Sequence, residues 1–243
     1  MSLPAPYQIV HLARGRARNL AAHAALLDAA SRCLFGRGYT PDLPRLAERL
    51  PPPLAAVAAA EHYPAAVSGF VRIELTPEGD ERLTAAGVSL YDGYALRSVM
   101  PDAVTLHYDL PLTEAPTTAR EAVEELAAAV ARRRGAALAV RVGADGTLRS
   151  ADNAPLFGIL GKRLIPALAF PAVERELVLR VAPQAGLEIA DERLPPALLP
   201  RLDELFYADH RGITSLGHCD SLPLMSLLAE RLAAAIEALF PKM

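Results

Sequence analysis

Between Gly135 and Leu216 the chain is cut by glycine and proline into short apolar runs, and the order of those runs restricts the fold more than any other feature of the sequence. Ala136 to Val142 predicts a strand and Ala144-Asp145-Gly146 a turn. Leu156 to Ile159 and Arg163 to Ile165 predict a hairpin around Gly161-Lys162. Val173 to Gln184 has helical spacing and stops at Gly186, where a glycine suits the left-handed end of a helix. A strand over Leu187 to Arg193 and a short helix over Leu198 to Leu202 follow. Two short strands then flank a polar loop, at Leu205 to Tyr207 and Ile213 to Leu216. The final helix is predicted over Leu222 to Leu239. A helix over Thr117 to Arg134 precedes all of this, with Ala122, Leu126, Ala129 and Val130 as its expected apolar face. Strands and helices so interleaved belong to the α/β class.

The first half is more mixed. Tyr7 to Val10 reads as a strand, Gly15 as a turn, and Leu20 to Leu34 as a helix with Asn19 at its N-cap. Residues 42 to 60 give short helices broken at Pro51, Pro52 and Pro53. Val67 to Leu75 alternates like a strand, and Pro77-Glu78-Gly79-Asp80 is turn chemistry. Glu81 to Leu90 and Val104 to Leu110 are further strands, so this half is α+β. A chain of 243 residues exceeds the usual single domain. Residues 111 to 116 form the best linker, which predicts an N-terminal domain over 1–112 and a C-terminal domain over 113–243.

Composition excludes several functions. Net charge is −3, which argues against nucleic-acid binding through clustered positive charge. No apolar run approaches the ~20 residues of a membrane span. The N-terminal stretch lacks the apolar core of a signal peptide. The two cysteines, Cys33 and Cys219, make no disulfide framework. A soluble cytoplasmic protein is expected. Lysine occurs only at 162 and 242, so any chemistry needing an amine has two candidates.

Polar residues concentrate in YADHRGITSLGHCD, which holds Asp209, His210, Arg211, Thr214, His218, Cys219 and Asp220. One reading is a ligand pocket in which Arg211 grips a carboxylate and His210 titrates near neutral pH. The other is a structural cluster that bonds its own loop backbone or a subunit interface. The spacing matches no standard zinc pattern, so no metal is expected. Arg72, Arg97 and Arg120 are further candidates for holding an anion, with structural ion pairing as the alternative. Three arginines at the end of the helix over Thr117 to Arg134 complement its dipole and need no other role.

The stretches RRRGAALAVRVGADGTLRS, APLFGILGKRLIPA, VERELVLRVAPQAGLEIADERL and LDELFYADHRGITSL, in this order and spacing, resemble the class IV aminotransferases, the fold-type IV pyridoxal-phosphate enzymes. YQIVHLARGRARNLAAHAALL resembles the first strand, glycine turn and helix of the same family. The resemblance spans roughly residues 7 to 240. It implies two α/β domains with a cleft between them, a homodimer, and pyridoxal phosphate in the cleft.

The resemblance also implies where cofactor residues should stand. Schiff-base chemistry needs a lysine, and its position before the long helix holds Pro116, within Ala115-Pro116-Thr117-Thr118-Ala119-Arg120. The carboxylate that pairs with the ring nitrogen aligns with Ser150, and Asp152 replaces it only if the loop shifts by two residues. The asparagine that follows aligns with Pro155. His23 matches a family histidine, but the phosphate arginine three residues later aligns with Leu26. The phosphate-cradling helix start reads Ala172-Val173-Glu174, where Glu174 opposes an anion.

These departures predict a class IV aminotransferase-like protein that no longer uses pyridoxal phosphate. It is expected to form a homodimer and to bind a small anionic metabolite, with no cofactor, nucleic acid or membrane. Its candidate pocket residues are Arg72, Arg97, Arg120, Asp152, Asp209, His210, Arg211 and Thr214. The alternative is an active pyridoxal-phosphate enzyme, an aminotransferase or aminodeoxychorismate-lyase-like protein, with a displaced lysine.

Overall fold

A computed structural model describes residues 4–64, 67–97, 99–110, 116–168 and 170–240. The chain divides into two compact units. The first comprises Met1–Gly93 and Leu112–Ala119, and the second Tyr94–Pro111 and Arg120–Met243. Each unit is built from discontinuous segments, and residues 94–111 belong with the second. The linker expected at 111–116 lies outside the described residues except for Pro116.

In the first unit, β1 (Tyr7–Ala13) turns at Arg14-Gly15 into β2 (Arg16–Ala17). Helices α1 (Leu20–Phe35), α2 (Leu43–Arg49) and α3 (Pro51–Ala60) follow. Next come β3 (Ser68–Leu75) and β4 (Glu81–Ser89), which complete an antiparallel sheet of order β2-β1-β3-β4. Asn19 stands at the start of α1 as expected, but in the left-handed region and without a side-chain capping bond. Pro51 opens α3, a position where a missing N–H costs nothing. Alternate residues Val71, Ile73 and Leu75 of β3 join Val10 and Leu12 of β1. They form one core with Leu27, Leu46, Leu50 and Leu54 from the helices. The strand containing Tyr7 is extended by Pro116–Thr118: Tyr7 N–H donates to the Pro116 carbonyl at 3.1 Å, and Thr118 N–H to Ala5 O at 3.0 Å.

The second unit begins with β5 (Ala95–Leu96) and β6 (Asp102–His107). Helix α4 (Thr118–Arg133) leads to β7 (Leu138–Val142), β8 (Leu148–Ala151), β9 (Ala154–Leu160) and β10 (Arg163–Pro166). Then come α5 (Val173–Val181), β11 (Glu188–Ile189) and a 3-10 turn over Pro196–Arg201. The chain ends in β12 (Glu204–Asp209), β13 (Gly212–Ser215), β14 (His218–Cys219), β15 (Leu222–Pro223) and α6 (Leu227–Glu237). Eleven strands form one sheet in the order β15-β14-β6-β7-β8-β9-β12-β13-β5, with β10 on β9 and β11 on β10. Its largest core gathers Val140, Val142, Leu148, Leu156, Ile165, Leu205 and Tyr207. Buried Glu204 accepts from the N–H groups of Leu228 and Ala229 at 2.6 and 2.9 Å, which fixes the start of α6 to β12.

Two expectations need correcting. The strand over Leu187 to Arg193 shrinks to Glu188–Ile189, because the prolines at 195 and 196 and the 3-10 turn take over the passage. More consequential is α4. Its expected apolar face is wrong: Leu126 is 69% exposed, whereas Arg120, Glu124, Ala127 and Ala131 are buried. These four, spaced 4, 3 and 4 residues apart, lie on one side of the helix. Ala127 and Ala131 pack with Leu106 and Ala139 from β6 and β7. Short alanine side chains allow the helix axis close to the sheet, so burial follows proximity rather than hydrophobicity at its N-terminal end.

The hairpin β12–β13 turns through His210-Arg211, with Asp209 paired to Gly212. Gly212 has φ 134°, and a Cβ there would lie 2.0 Å from the Ala95 carbonyl oxygen of the parallel neighbour β5. Gly212→Ala is therefore expected to lose about 3 kcal/mol or more of stability through strain and loss of the β5 pairing, measured by urea denaturation.

Candidate functional site

The polar residues of the second unit gather around the β12–β13 turn. Arg211 folds back onto its own hairpin: its backbone N–H donates to Asp209 Oδ1 at 2.8 Å and its Nε to Asp209 Oδ2 at 2.7 Å. Its Nη2 also donates to Asp209 and reaches Asp152 Oδ2 at 2.8 Å. Asp152 lies in the tight β8–β9 turn, at φ 47° beside Asn153 at φ 57°, and Tyr207 OH donates to it at 3.4 Å. Arg97 follows β5, whose parallel pairing with β13 brings it beside Thr214. Its N–H donates to Ile213 O at 2.8 Å and its Nη1 to Thr214 Oγ1 at 3.4 Å. Arg97, Asp152, Asp209, Arg211 and Thr214 are thus brought into one network.

The electrostatics of this network correct two expectations. Burial alone disfavours the Arg211 cation, but Asp209 and Asp152 outweigh it and raise its pKa further above its ordinary value. Arg211 is paired with two carboxylates through Nε and Nη2. His210 does not titrate near neutral pH: burial pulls it down to about 4, with Asp209 only partly offsetting that. A neutral imidazole at pH 7 is therefore expected. Burial likewise raises Tyr207 to about 12. Glu174, in the first turn of α5, is raised to about 7 by burial, with the charge of Asp209 adding to the effect. Tyr94 is buried near the same two carboxylates, and its hydroxyl has no hydrogen-bond partner among the described residues.

Arg120 stands apart from that loop. It is fully buried on α4, with its guanidinium carbon 3.4 Å above the centre of the Phe170 ring. One turn later Glu124 accepts from Tyr108 OH at 2.5 Å. On the facing strand β7, buried Arg141 donates from Nε to Ser150 Oγ at 3.2 Å. Glu124 and Tyr108 each feel the charge of Arg141, which places the three in one electrostatic cluster. Tyr108, Glu124 and Arg141 were not among the sequence candidates. The usable signal was Arg141 itself: it interrupts the run Leu138-Ala139-Val140-Arg141-Val142, in which all five residues are buried.

In the first unit, Arg72 has its own partners. Its guanidinium carbon lies 3.8 Å over the Tyr7 ring, and its Nη2 lies 3.3 Å from Glu74, so it serves as a structural ion pair there. His23 Nδ1 is 2.9 Å from Gln8 Oε1, and Leu26 is half-buried on the same helix. Lys162 sits in the exposed β9–β10 turn, and Lys242 lies outside the described residues. Among the described residues no three His, Cys, Asp or Glu side chains are placed to hold a metal ion, and no helix is long and apolar enough to cross a membrane.

Neither a protein-family profile nor a curated protein sequence matches the chain. Solved structures do. A hypothetical aminotransferase from Mycobacterium tuberculosis, with α-ketoglutarate and PMP bound, aligns with TM-score 0.72 at 20% identity, over 96% of this chain and 89% of that one. The branched-chain amino acid aminotransferase of Escherichia coli aligns with TM-score 0.75 at 16% identity, over 97% and 85%. A branched-chain aminotransferase from Thermoproteus uzoniensis, with norvaline, aligns with TM-score 0.74 at 16% identity, over 96% and 84%. The order of elements read from the sequence is therefore that of the class IV aminotransferases, and the chain has the fold-type IV architecture.

Proposed function

We propose that the chain is a class IV aminotransferase-like protein that has abandoned pyridoxal-phosphate chemistry and binds a small anionic metabolite instead. The observation that carries this reading is the Arg141–Ser150 contact. Where the resemblance calls for a carboxylate to hold a protonated ring nitrogen, Ser150 accepts a hydrogen bond from a buried guanidinium. A pyridinium there meets a cation rather than an anion. Asp152, the only substitute, is engaged by Arg211 and Tyr207.

The other contacts fit the cofactor no better. Pro116 has no amine, and its carbonyl is bonded to Tyr7. At the start of α5, Glu174 occupies the helix end that would attract a phosphate, and Asp209 adds a second carboxylate to its surroundings. The residues of this chain therefore do not suit pyridoxal phosphate, and no catalytic step is assigned to it. The homodimer implied by the resemblance is kept as part of the proposal, and a monomeric mass in sedimentation at micromolar concentration would remove it.

Purified protein mixed with pyridoxal phosphate is expected to show no internal-aldimine absorbance. Borohydride is expected to leave Lys162 and Lys242 unmodified by mass spectrometry. An aldimine fixed on either lysine would instead establish the displaced-lysine enzyme, the alternative to which the solved neighbours holding this cofactor point. Pro116→Lys alone is expected to give no measurable transamination. Each missing charge-assisted contact, at Ser150 and at Leu26, is worth about 1.5–3 kcal/mol. Turnover in that variant would refute the reading.

Glu174 supplies a separate check through stability. Its pKa rises on folding from 4.5 to about 7, so the native state binds more protons than the unfolded chain in that window. Native stability contributed by this group then falls as pH climbs through it. Glu174→Gln cannot titrate. Its stability relative to the wild type is expected to increase by about 1–2 kcal/mol between about pH 5 and pH 8, after discounting for partial exposure. A difference that stays flat with pH would show that burial does not hold the Glu174 carboxyl up, and that it stands ionised at the start of α5.

A further inference from the structure

The face of β6 and β7 that packs under α4 is apolar at one end and charged at the other. Leu106 pairs in register with Arg141, and Arg141 with Ser150, so all three point the same way, toward the helix. Beneath Ala127 and Ala131 this face carries Leu106 and Ala139. Beneath the N-terminal part of the helix it carries Arg141 and Tyr108, at the carboxyl ends of two parallel strands, with Glu124 above them.

Arg141 is only 6% exposed, and among the described residues its one hydrogen bond is the Nε contact to Ser150; it forms no ion pair. The outer edge of its guanidinium, Nη1 and Nη2, is left without an acceptor. The nearby carboxylate does not serve it: Glu124 Oε2 takes the Tyr108 hydroxyl, and Glu124 Oε1, itself buried, has no hydrogen-bond partner. Burying an arginine in this state is costly, because the nearby carboxylates favour the cation only at a distance and none forms an ion pair with it. Burial accordingly dominates its titration and pulls its pKa down, with Glu124 and Tyr108 only partly opposing.

We propose that Arg141, with Glu124 beside it, binds a small hydroxycarboxylate, the Nη edge taking the carboxylate and Glu124 Oε1 accepting from the ligand hydroxyl. The inference rests on the reading that pyridoxal phosphate does not occupy this region, and it moves the anion-binding role from Arg211 to Arg141. The free edge of a guanidinium presents two parallel N–H donors, which match the two oxygens of a carboxylate. A phosphate dianion suits the place less well, because its second charge would face the carboxylate of Glu124. A hydroxyl donor satisfies the bare Oε1.

The test uses the full chain, with glycolate as probe and inorganic phosphate or chloride at matched ionic strength as controls. Glycolate at tens of millimolar is expected to raise the melting temperature by roughly 2–4 °C over chloride. Arg141→Met should abolish that rise. Without ligand, Arg141→Met should melt at the same temperature as the wild type or higher, because it removes a buried cation held in no ion pair. A purely structural arginine gives the reverse. If Arg141→Met unfolds or melts several degrees lower, or if the wild type ignores glycolate, or if phosphate stabilises it as much, the assignment is overturned. A parallel absorbance titration with pyridoxal phosphate separates the two readings. Aldimine formation defeats the function proposed above, whereas a failed glycolate response without aldimine defeats only the Arg141 assignment.

Discussion

Helix α4 buries a stripe that changes character along its length, and much of the second unit is arranged around that change. At its C-terminal end the stripe is alanine, which brings the helix down onto β6 and β7. At its N-terminal end the same close approach leaves Arg120 and Glu124 with no route to water. Long charged side chains in that position must find partners inside the protein, and they do so in specific ways. Arg120 stacks on Phe170, and Glu124 takes the Tyr108 hydroxyl. Arg141, rising from the strand below, meets this charged end rather than the alanine end. A helix with leucines in place of Ala127 and Ala131 would stand further off, and the charged groups beneath its N-terminal end would be wetted.

The neighbouring network at the β12–β13 turn works differently. Its charges are matched within the protein: Arg211 bridges Asp209 and Asp152, and Arg97 leans on Thr214. Two short left-handed passages, at Asp152-Asn153 and at Gly212, set the carboxylates and the turn at the heights these bonds need. The contrast between the two clusters is one of completeness. A guanidinium held by two carboxylates is a strut, whereas that of Arg141 is bonded only through Nε, to Ser150, among the described residues.

Most of the architecture was legible in the sequence, because glycine and proline punctuate it and the strand and helix periods differ. The hairpin about Gly161-Lys162 and the β12–β13 pair follow from turn residues between short apolar runs. The residues at Pro116, Ser150, Leu26 and Glu174 were read against the resemblance, and their bearing on the cofactor is part of the function proposed above. The buried face of α4 was not. Alanine contributes little to any apolar pattern, so Leu126 drew the predicted face toward itself although it is solvent-exposed. Tyr108 and Glu124 escaped for the same reason, being 16 residues apart and joined only by the packing of helix on sheet. The titration of His210 and the occupancy of Arg211 depend on enclosure and on pairing across the β8–β9 turn, which spacing alone does not convey.

The discontinuous make-up of the second unit bears on how the chain is made. Strand β5 pairs with β13 and β6 with β14, so residues 95–96 and 102–103 await partners at 212–213 and 218–219. Emerging from a ribosome, β5 and one edge of β6 spend more than a hundred residues of synthesis without these neighbours, while the other edge of β6 can pair with β7 once Val142 is made. The four-stranded sheet of the first unit, by contrast, has all its strands by Ser89. The order of synthesis thus lets the first unit's sheet pair early, while β5 and one edge of β6 wait for β13 and β14. Such a chain is most exposed to misassembly in that interval, and slow or stalled translation past residue 110 prolongs it.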